Sequence, residues 1–307
     1  MSAIRGVPRI HTSRFIQPKR VSALHHVKRM RGASQSHLML CSDGNLYIVK
    51  FRNNPQHRRV LCDEILGTYL ARLIGLPVSP LAIVEVGEKL IRESPSLQIE
   101  FPGAKVLLEP GLHFGSRHVL TGLPGEVFDL FPTKALHRVS NLNMFAGAMA
   151  FDMWTCNSDA RQALFTKVAW MHEYFVTFID QGNCFGGQDW DMPSSLWRGL
   201  YNNLGVYSSI HAETDGDPFS PWDRRILKFD PELLKKVCGV IPETWYDNQR
   251  GELGDLVDLL LIRRQRVWDA LQTFREQART LSPKCREYGL HELLPFLKEV
   301  HLECSAA

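Results

Sequence analysis

Apolar positions recur along this chain with two periods, and the change of period divides it. From Ser36 to Cys41 and from Leu46 to Phe51, short hydrophobic blocks flank Ser42-Asp43-Gly44-Asn45. Blocks of that length around an Asp-Gly turn predict a β-hairpin. From Arg58 to Ile74 the spacing becomes helical, with Val60, Leu61, Ile65, Leu66, Tyr69, Leu70, Leu73 and Ile74 as the apolar set. Gly75 and Pro77 supply the stop. Leu81 to Val86 and Ala104 to Leu108 read as further strands, and Glu109 to Arg117 as a glycine-rich loop crossing between two lobes. Leu142 to Trp154 is almost wholly apolar and predicts a buried helix. Tyr174 to Phe178 predicts a strand, Leu256 to Leu281 a long amphipathic helix, and Glu292 to Val300 another helix.

Polar residues interrupt this pattern at two telling places. The buried helix runs straight into Asp152, Asn157, Asp159, Arg161 and Gln162, and the strand before Asp180 runs into Asp180-Gln181-Gly182. Such groups are costly to desolvate unless they bind each other, a metal or a ligand. Two carboxylates at the ends of hydrophobic elements point to a metal-phosphate site. Lys50 ends the second hairpin strand among apolar neighbours, and Glu64 follows on the next helix. A strand lysine paired with a helix glutamate is how kinases orient ATP phosphates. Gly32-Ala33-Ser34-Gln35-Ser36, just ahead of the hairpin, can curl backbone N–H groups around a phosphate.

Composition narrows the class without changing this picture. A chain of 307 residues with 44% hydrophobic and 22% charged content can bury a large core as one domain or two lobes. No apolar run is long enough to span a bilayer, so no membrane association is expected. Seven scattered cysteines without C-x-x-C spacing fit reduced thiols and a cytoplasmic location better than a disulfide frame or zinc site. The net charge of +3 is uneven, because residues 1–31 carry eight Lys/Arg and no acid. That stretch reads as a basic arm, a solvated tail or a holder of phosphate, nucleic acid or an acidic partner. Without interleaved aromatics it does not resemble a nucleic-acid motif, so nucleic acid is expected only through the arm, if at all.

Taken together, WTCNSDARQALF at 154–165, FIDQGNCFGG at 178–187, GLHFGSR at 111–117, YIVKF at 47–51 and HRRVLCDEILGTYLARLIGLPVSP at 57–80 resemble the HipA-like kinase family, relatives of the HipA and phosphoinositide kinases. The resemblance spans about residues 30 to 250. It implies an α+β, two-lobed protein-kinase-like fold: a basic arm at 1–31, a small β-rich N-lobe at 32–110, and a larger helical C-lobe at 111–307. It also implies ATP and Mg²⁺ as cofactors and transfer of phosphate to a serine or threonine hydroxyl of a protein. Lys50, held by Glu64, would contact ATP phosphates, and Gly32, Ser34 and Ser36 would cover them. Asp159 would act on the attacking hydroxyl, with Arg161 either stabilising the transferred phosphate or pairing with Asp159. Asp180 would ligate Mg²⁺, and Gln162 or Asn157 would take the place of the asparagine that such kinases carry shortly after the catalytic aspartate. The longer HipA toxins have an additional N-terminal domain where this chain has its short arm. The missing asparagine supports a second reading, a catalytically weak nucleotide-binding module that regulates a protein partner.

Overall fold

The computed structural model describes residues 15–57, 59–120, 122–192, 206 and 217–280. Ten strands and six α-helices among them form a closed five-stranded barrel, two small sheets and a helical body. β1 (Lys19–Arg29), β2 (His37–Cys41) and β3 (Leu46–Lys50) are joined by hairpin pairing, as the Asp43-Gly44 turn predicts, with Gly44 at φ 75°. α1 (Val60–Ile74) follows, closed by Gly75 in the left-handed conformation at φ 95°. β4 (Leu81–Val86) comes next, then the short α2 (Glu88–Glu93). β5 (Gln98–Phe101) and β6 (Ala104–Leu107) pair with each other outside the barrel.

Two of the boundaries expected from sequence are corrected. Gly111–Arg117 is not a crossing loop but strand β7, which lies between β3 and β4 in the barrel. Its glycines disguised it, yet Gly115 is required there: a Cβ would sit 2.5 Å from Val84 Cγ2. The barrel lobe therefore runs past residue 110 to Arg117. The basic arm is likewise no plain tail. Lys19–Arg29 is the longest strand, antiparallel to β2 and parallel to β4, and it closes the barrel. Its polar residues point outward while Val21 packs inside, which is why composition hid it. Residues 1–14 and the helix expected at 292–300 lie outside the described residues.

Beyond the barrel, β8 (Gly125–Phe128), β9 (Gln162–Val168) and β10 (Phe175–Ile179) form a sheet in the order β10-β9-β8. The predicted buried helix is α3 (Met144–Thr155), packed beside α4 (Ser220–Leu227) and α6 (Arg250–Thr280), with α5 (Pro231–Cys238) between the latter two in sequence. Two cores result. One fills the barrel with Val21, Met39, Tyr47, Val49, Phe51 and Val84; the other joins α1 to the helical body. Since α1 belongs to the larger core, it is fixed against the helical body while its glutamate faces the barrel. Trp154, Trp222 and Trp245 are buried in that larger core. Trp154 donates its indole N–H to Leu260 O at 2.8 Å, and Arg263 satisfies the carbonyls of Met153 and Trp154 at the end of α3.

Close packing makes Gly147 on α3 a sharp test of this body. A Cβ there would lie 2.5 Å from the ring of the buried Trp222. Gly147→Ala is expected to destabilise the fold by about 1–3 kcal/mol, measured by urea denaturation. The barrel carries its own pH dependence. His113 is packed against Phe51, and burial pushes its imidazole down to about 4; His37, also beside Phe51, is pushed to about 4 by burial and by His26. Between about pH 4 and 6.5 the unfolded chain binds these protons and the folded chain does not, so stability falls as pH drops through that window. The melting temperature is expected to be lower at pH 5 than at pH 7, with a smaller drop in His113→Gln.

Candidate functional site

Strand parity aims Lys50 at the site. Tyr47, Val49 and Phe51 fill the barrel, so Ile48 and Lys50 take the opposite face. Lys50 pairs with Phe114 and Ile48 with Ser116 on β7, and these four residues line one wall of a cleft of about 730 Å³. The opposite wall comes from the β9–β10 sheet and its ends, including Asp159, Gln162, Leu164, Phe178 and Asp180.

Lys50 bridges the two walls. Its Nζ donates to Glu64 Oε1 at 2.5 Å and to Asp180 Oδ1 at 2.8 Å. Glu64 Oε2 accepts the backbone N–H of Gln181 at 3.1 Å, so one glutamate holds both the strand lysine and the loop after β10. This proximity depends on two glycines. A Cβ at Gly67 would lie 2.7 Å from Gln181 Cβ, and one at Gly182 would lie 2.7 Å from Val60 Cγ2 and 3.3 Å from Lys50 Nζ. The loop is further pinned by His57, whose Nε2 is 2.8 Å from Gly182 O. Asp180 itself sits at φ 60°, a left-handed conformation that turns the chain sharply at the end of β10.

The three charges settle unequally. Burial opposes the charge of Lys50, but Glu64 and Asp180 more than compensate and raise its pKa, so it stays protonated. Glu64 is fully enclosed and burial raises its pKa despite Lys50. Burial acts in the same direction on Asp180, but Lys50 outweighs it and holds the carboxyl below its ordinary value. Asp180 is thus the carboxylate that stays ionised towards the cleft. Its Oδ2 accepts from Gln162 Nε2 at 3.0 Å.

Asp159 follows α3 on a tight, hydrogen-bonded turn. Cys156 adopts a left-handed conformation at φ 50°, and Asn157 Oδ1 accepts the Asp159 N–H at 3.2 Å. The Asp159 carboxylate takes the Ala160 N–H at 2.7 Å and faces the cleft, exposed. Gly32, Ser34 and Ser36 line the same cleft, with Gly32 at φ 120°.

Arg161 and Asn157 are not where the sequence reading put them. Arg161 is 2% exposed and turned inward, in a two-pronged pair with Asp152 through Nε at 3.0 Å and through its second terminal nitrogen. Its remaining terminal nitrogen donates to Ile179 O at 3.1 Å, Asp180 O at 3.3 Å and Gln181 Oε1 at 2.8 Å. It does not pair with Asp159; through these bonds it ties α3 to the Asp180 loop. Asn157 is buried against Asp152, to which it donates at 3.1 Å. The residue that sequence reasoning missed is Asn183, whose amide reaches Asp159 Oδ2 at 3.5 Å from the loop beyond Asp180. The substitute for the kinase asparagine was sought only within a few residues of Asp159, at Asn157 or Gln162. The position of Asn183 three residues past Asp180 was the available signal.

These residues suit a metal-bound nucleotide. Among the described residues no group of three His, Cys, Asp or Glu side chains is placed to hold a metal alone. Mg²⁺ does not need one, since it is commonly held by one or two carboxylates together with substrate phosphates. Each oxygen of Asp180 accepts one hydrogen bond and keeps a second lone pair. Lys50 spends two of its three N–H donors and keeps one.

Comparisons with known proteins bear on the fold. The family model described as HipA-like kinase matches residues 25–168. No curated protein matches the chain in sequence. Among solved structures, the Helicobacter pylori proinflammatory kinase CtkA aligns with a TM-score of 0.50 at 12% identity, covering 80% of this chain and 98% of that one. Hydra Fam20, solved with sugar, aligns at 0.50 and 11% identity, covering 83% and 86% of the two chains. HipA of Shewanella oneidensis MR-1, from a complex with HipB and operator DNA, aligns at 0.41 and 14% identity, covering 81% and 67%. The fold is therefore kinase-like, α+β in class, and residues 25–168 are similar to the HipA-like kinase family.

Proposed function

We propose that this protein transfers the terminal phosphoryl group of ATP, bound with Mg²⁺ in the cleft, to a serine or threonine hydroxyl of a protein. The observation that carries this reading is the contact of Lys50 with both Glu64 and Asp180 between the walls of one cleft. In a kinase-like fold that contact joins the phosphate-holding lysine to the metal-holding aspartate. Bound ATP supplies the phosphoryl group, with Mg²⁺ neutralising its charge. Lys50 and the Gly32, Ser34 and Ser36 turn bind and cover the phosphates. Asp180 holds the metal, with Gln162 as an amide neighbour. Asp159 accepts the proton of the acceptor hydroxyl, its carboxylate oriented by the Ala160 N–H.

One observation favours the alternative of a weak nucleotide-binding regulator. Arg161 and Asn157 face inward, which leaves fewer polar groups in the cleft than the resemblance implied. Turnover separates the two readings. ADP release with a mixed protein substrate is expected from the wild type and is expected to be lost in Asp159→Asn, while ATP affinity is retained. Binding without ADP release in the wild type would hand the case to the regulator.

A further inference from the structure

Three cations on the lip of the cleft take no part in the site described above. Lys28 lies near the end of β1, Arg31 lies just beyond it, and Arg117 ends β7; all are exposed and line the cleft. Strand register puts Lys28 opposite Leu38, Leu38 opposite Ile48, and Ile48 opposite Ser116, so Lys28 shares a row with two cleft-wall residues. Arg29 provides the contrast, since it is neutralised by Glu100 at 3.0 Å and bound to Gln35 at 2.9 Å. None of the three lip cations makes an ion pair among the described residues. His118, next to Arg117, has its imidazole pushed down by burial and by Lys28, which reports the positive field at this lip.

The rest of the mouth is of a different character. Asp129 and Asp159 supply carboxylates, and Val127 and Leu164 supply apolar surface. A nucleic-acid strand, with a phosphate at every step, would meet these carboxylates as well as the cations. A polypeptide with discrete acidic side chains avoids that conflict. Its carboxylates reach the lip, its apolar neighbours rest on Val127 and Leu164, and its hydroxyl reaches Asp159.

We propose that Lys28, Arg31 and Arg117 form a specificity site that selects protein substrates with acidic side chains beside the acceptor hydroxyl. This rests on the cleft being the phosphoryl-transfer site. Unpaired charges at an interface govern which partner is admitted through attraction and like-charge repulsion.

The test is fluorescence anisotropy on the full chain with labelled serine peptides that differ only in flanking glutamates, alanines or lysines. A single-stranded RNA of matching charge is the fourth probe. Wild type is compared with Lys28→Glu/Arg117→Glu and with the milder Lys28→Gln/Arg117→Gln, each with parallel melting curves and ATP binding. The glutamate-flanked peptide is expected to bind tightest to wild type and to lose about tenfold or more in affinity in the reversed variant, where steering by close charges is inverted. The neutral variant is expected to fall between, with ATP affinity and melting temperature kept by both. Equal affinity for all flanks, tighter binding of the RNA, or a parallel loss of ATP affinity would each overturn the proposal. Wild type that captures the acidic peptide selectively but binds no ATP would remove the kinase reading and leave the lip as an acidic-peptide site.

Discussion

Asp180→Asn is expected to lower phosphoryl transfer by about 10²–10³-fold, the scale seen when one electrostatic element of a preorganised site is removed. The substitution keeps the shape and the left-handed turn, which asparagine also tolerates. What it removes is the charge that Lys50 holds ionised towards the cleft. Lys50 would then retain only Glu64, whose carboxyl burial pushes towards the neutral form. The effect should appear in the turnover number and in the Mg²⁺ concentration needed for half-maximal rate. Melting temperature should change little. A rate within a factor of about two of wild type would remove Asp180 from the site.

The second large effect concerns stability. Asp152 and Arg161 are 0% and 2% exposed and satisfy each other deep under the cleft. Removing one member strands the other charge, which in buried pairs costs about 3–5 kcal/mol. Asp152→Ala and Arg161→Met are therefore each expected to lower unfolding free energy by that amount in urea titrations. The double variant should be less destabilised than the two losses added together, because it leaves no orphaned charge. Since Arg161 also binds the carbonyls of Ile179 and Asp180, the single variants should loosen the Asp180 loop and weaken ATP binding. Strictly additive losses would show that the pair is not coupled.

Much of this arrangement was legible in the residues, and the failures have physical causes. Local signals gave the β2–β3 hairpin, α1 with its Gly75 stop and the buried α3, because each depends on short-range periodicity and a turn residue. β7 was hidden because its glycine serves close packing against Val84, a tertiary requirement that looks like a loop in one dimension. β1 was hidden because one face of a barrel strand is solvated and its lysines and arginines read as a tail. In the site, the structure brings Lys50, Glu64 and Asp180 into contact, and each drew notice in the sequence as a charged residue set in or at the end of an apolar element. Arg161 was misjudged. Sequence proximity suggested Asp159 as its partner, whereas the chain reversal at Cys156 turns it back to Asp152. Asn183 was missed for the opposite reason, its closeness to Asp159 arising only when the two loops meet.

The most direct test of the central claim is calorimetric titration of ATP with and without Mg²⁺, on wild type and Asp180→Asn. The account predicts Mg²⁺-dependent binding to wild type that weakens by about tenfold or more in the variant, the loss of one charged metal ligand. Wild type that binds no nucleotide, or binds it equally with and without Mg²⁺ and with Asp180 replaced, would contradict it.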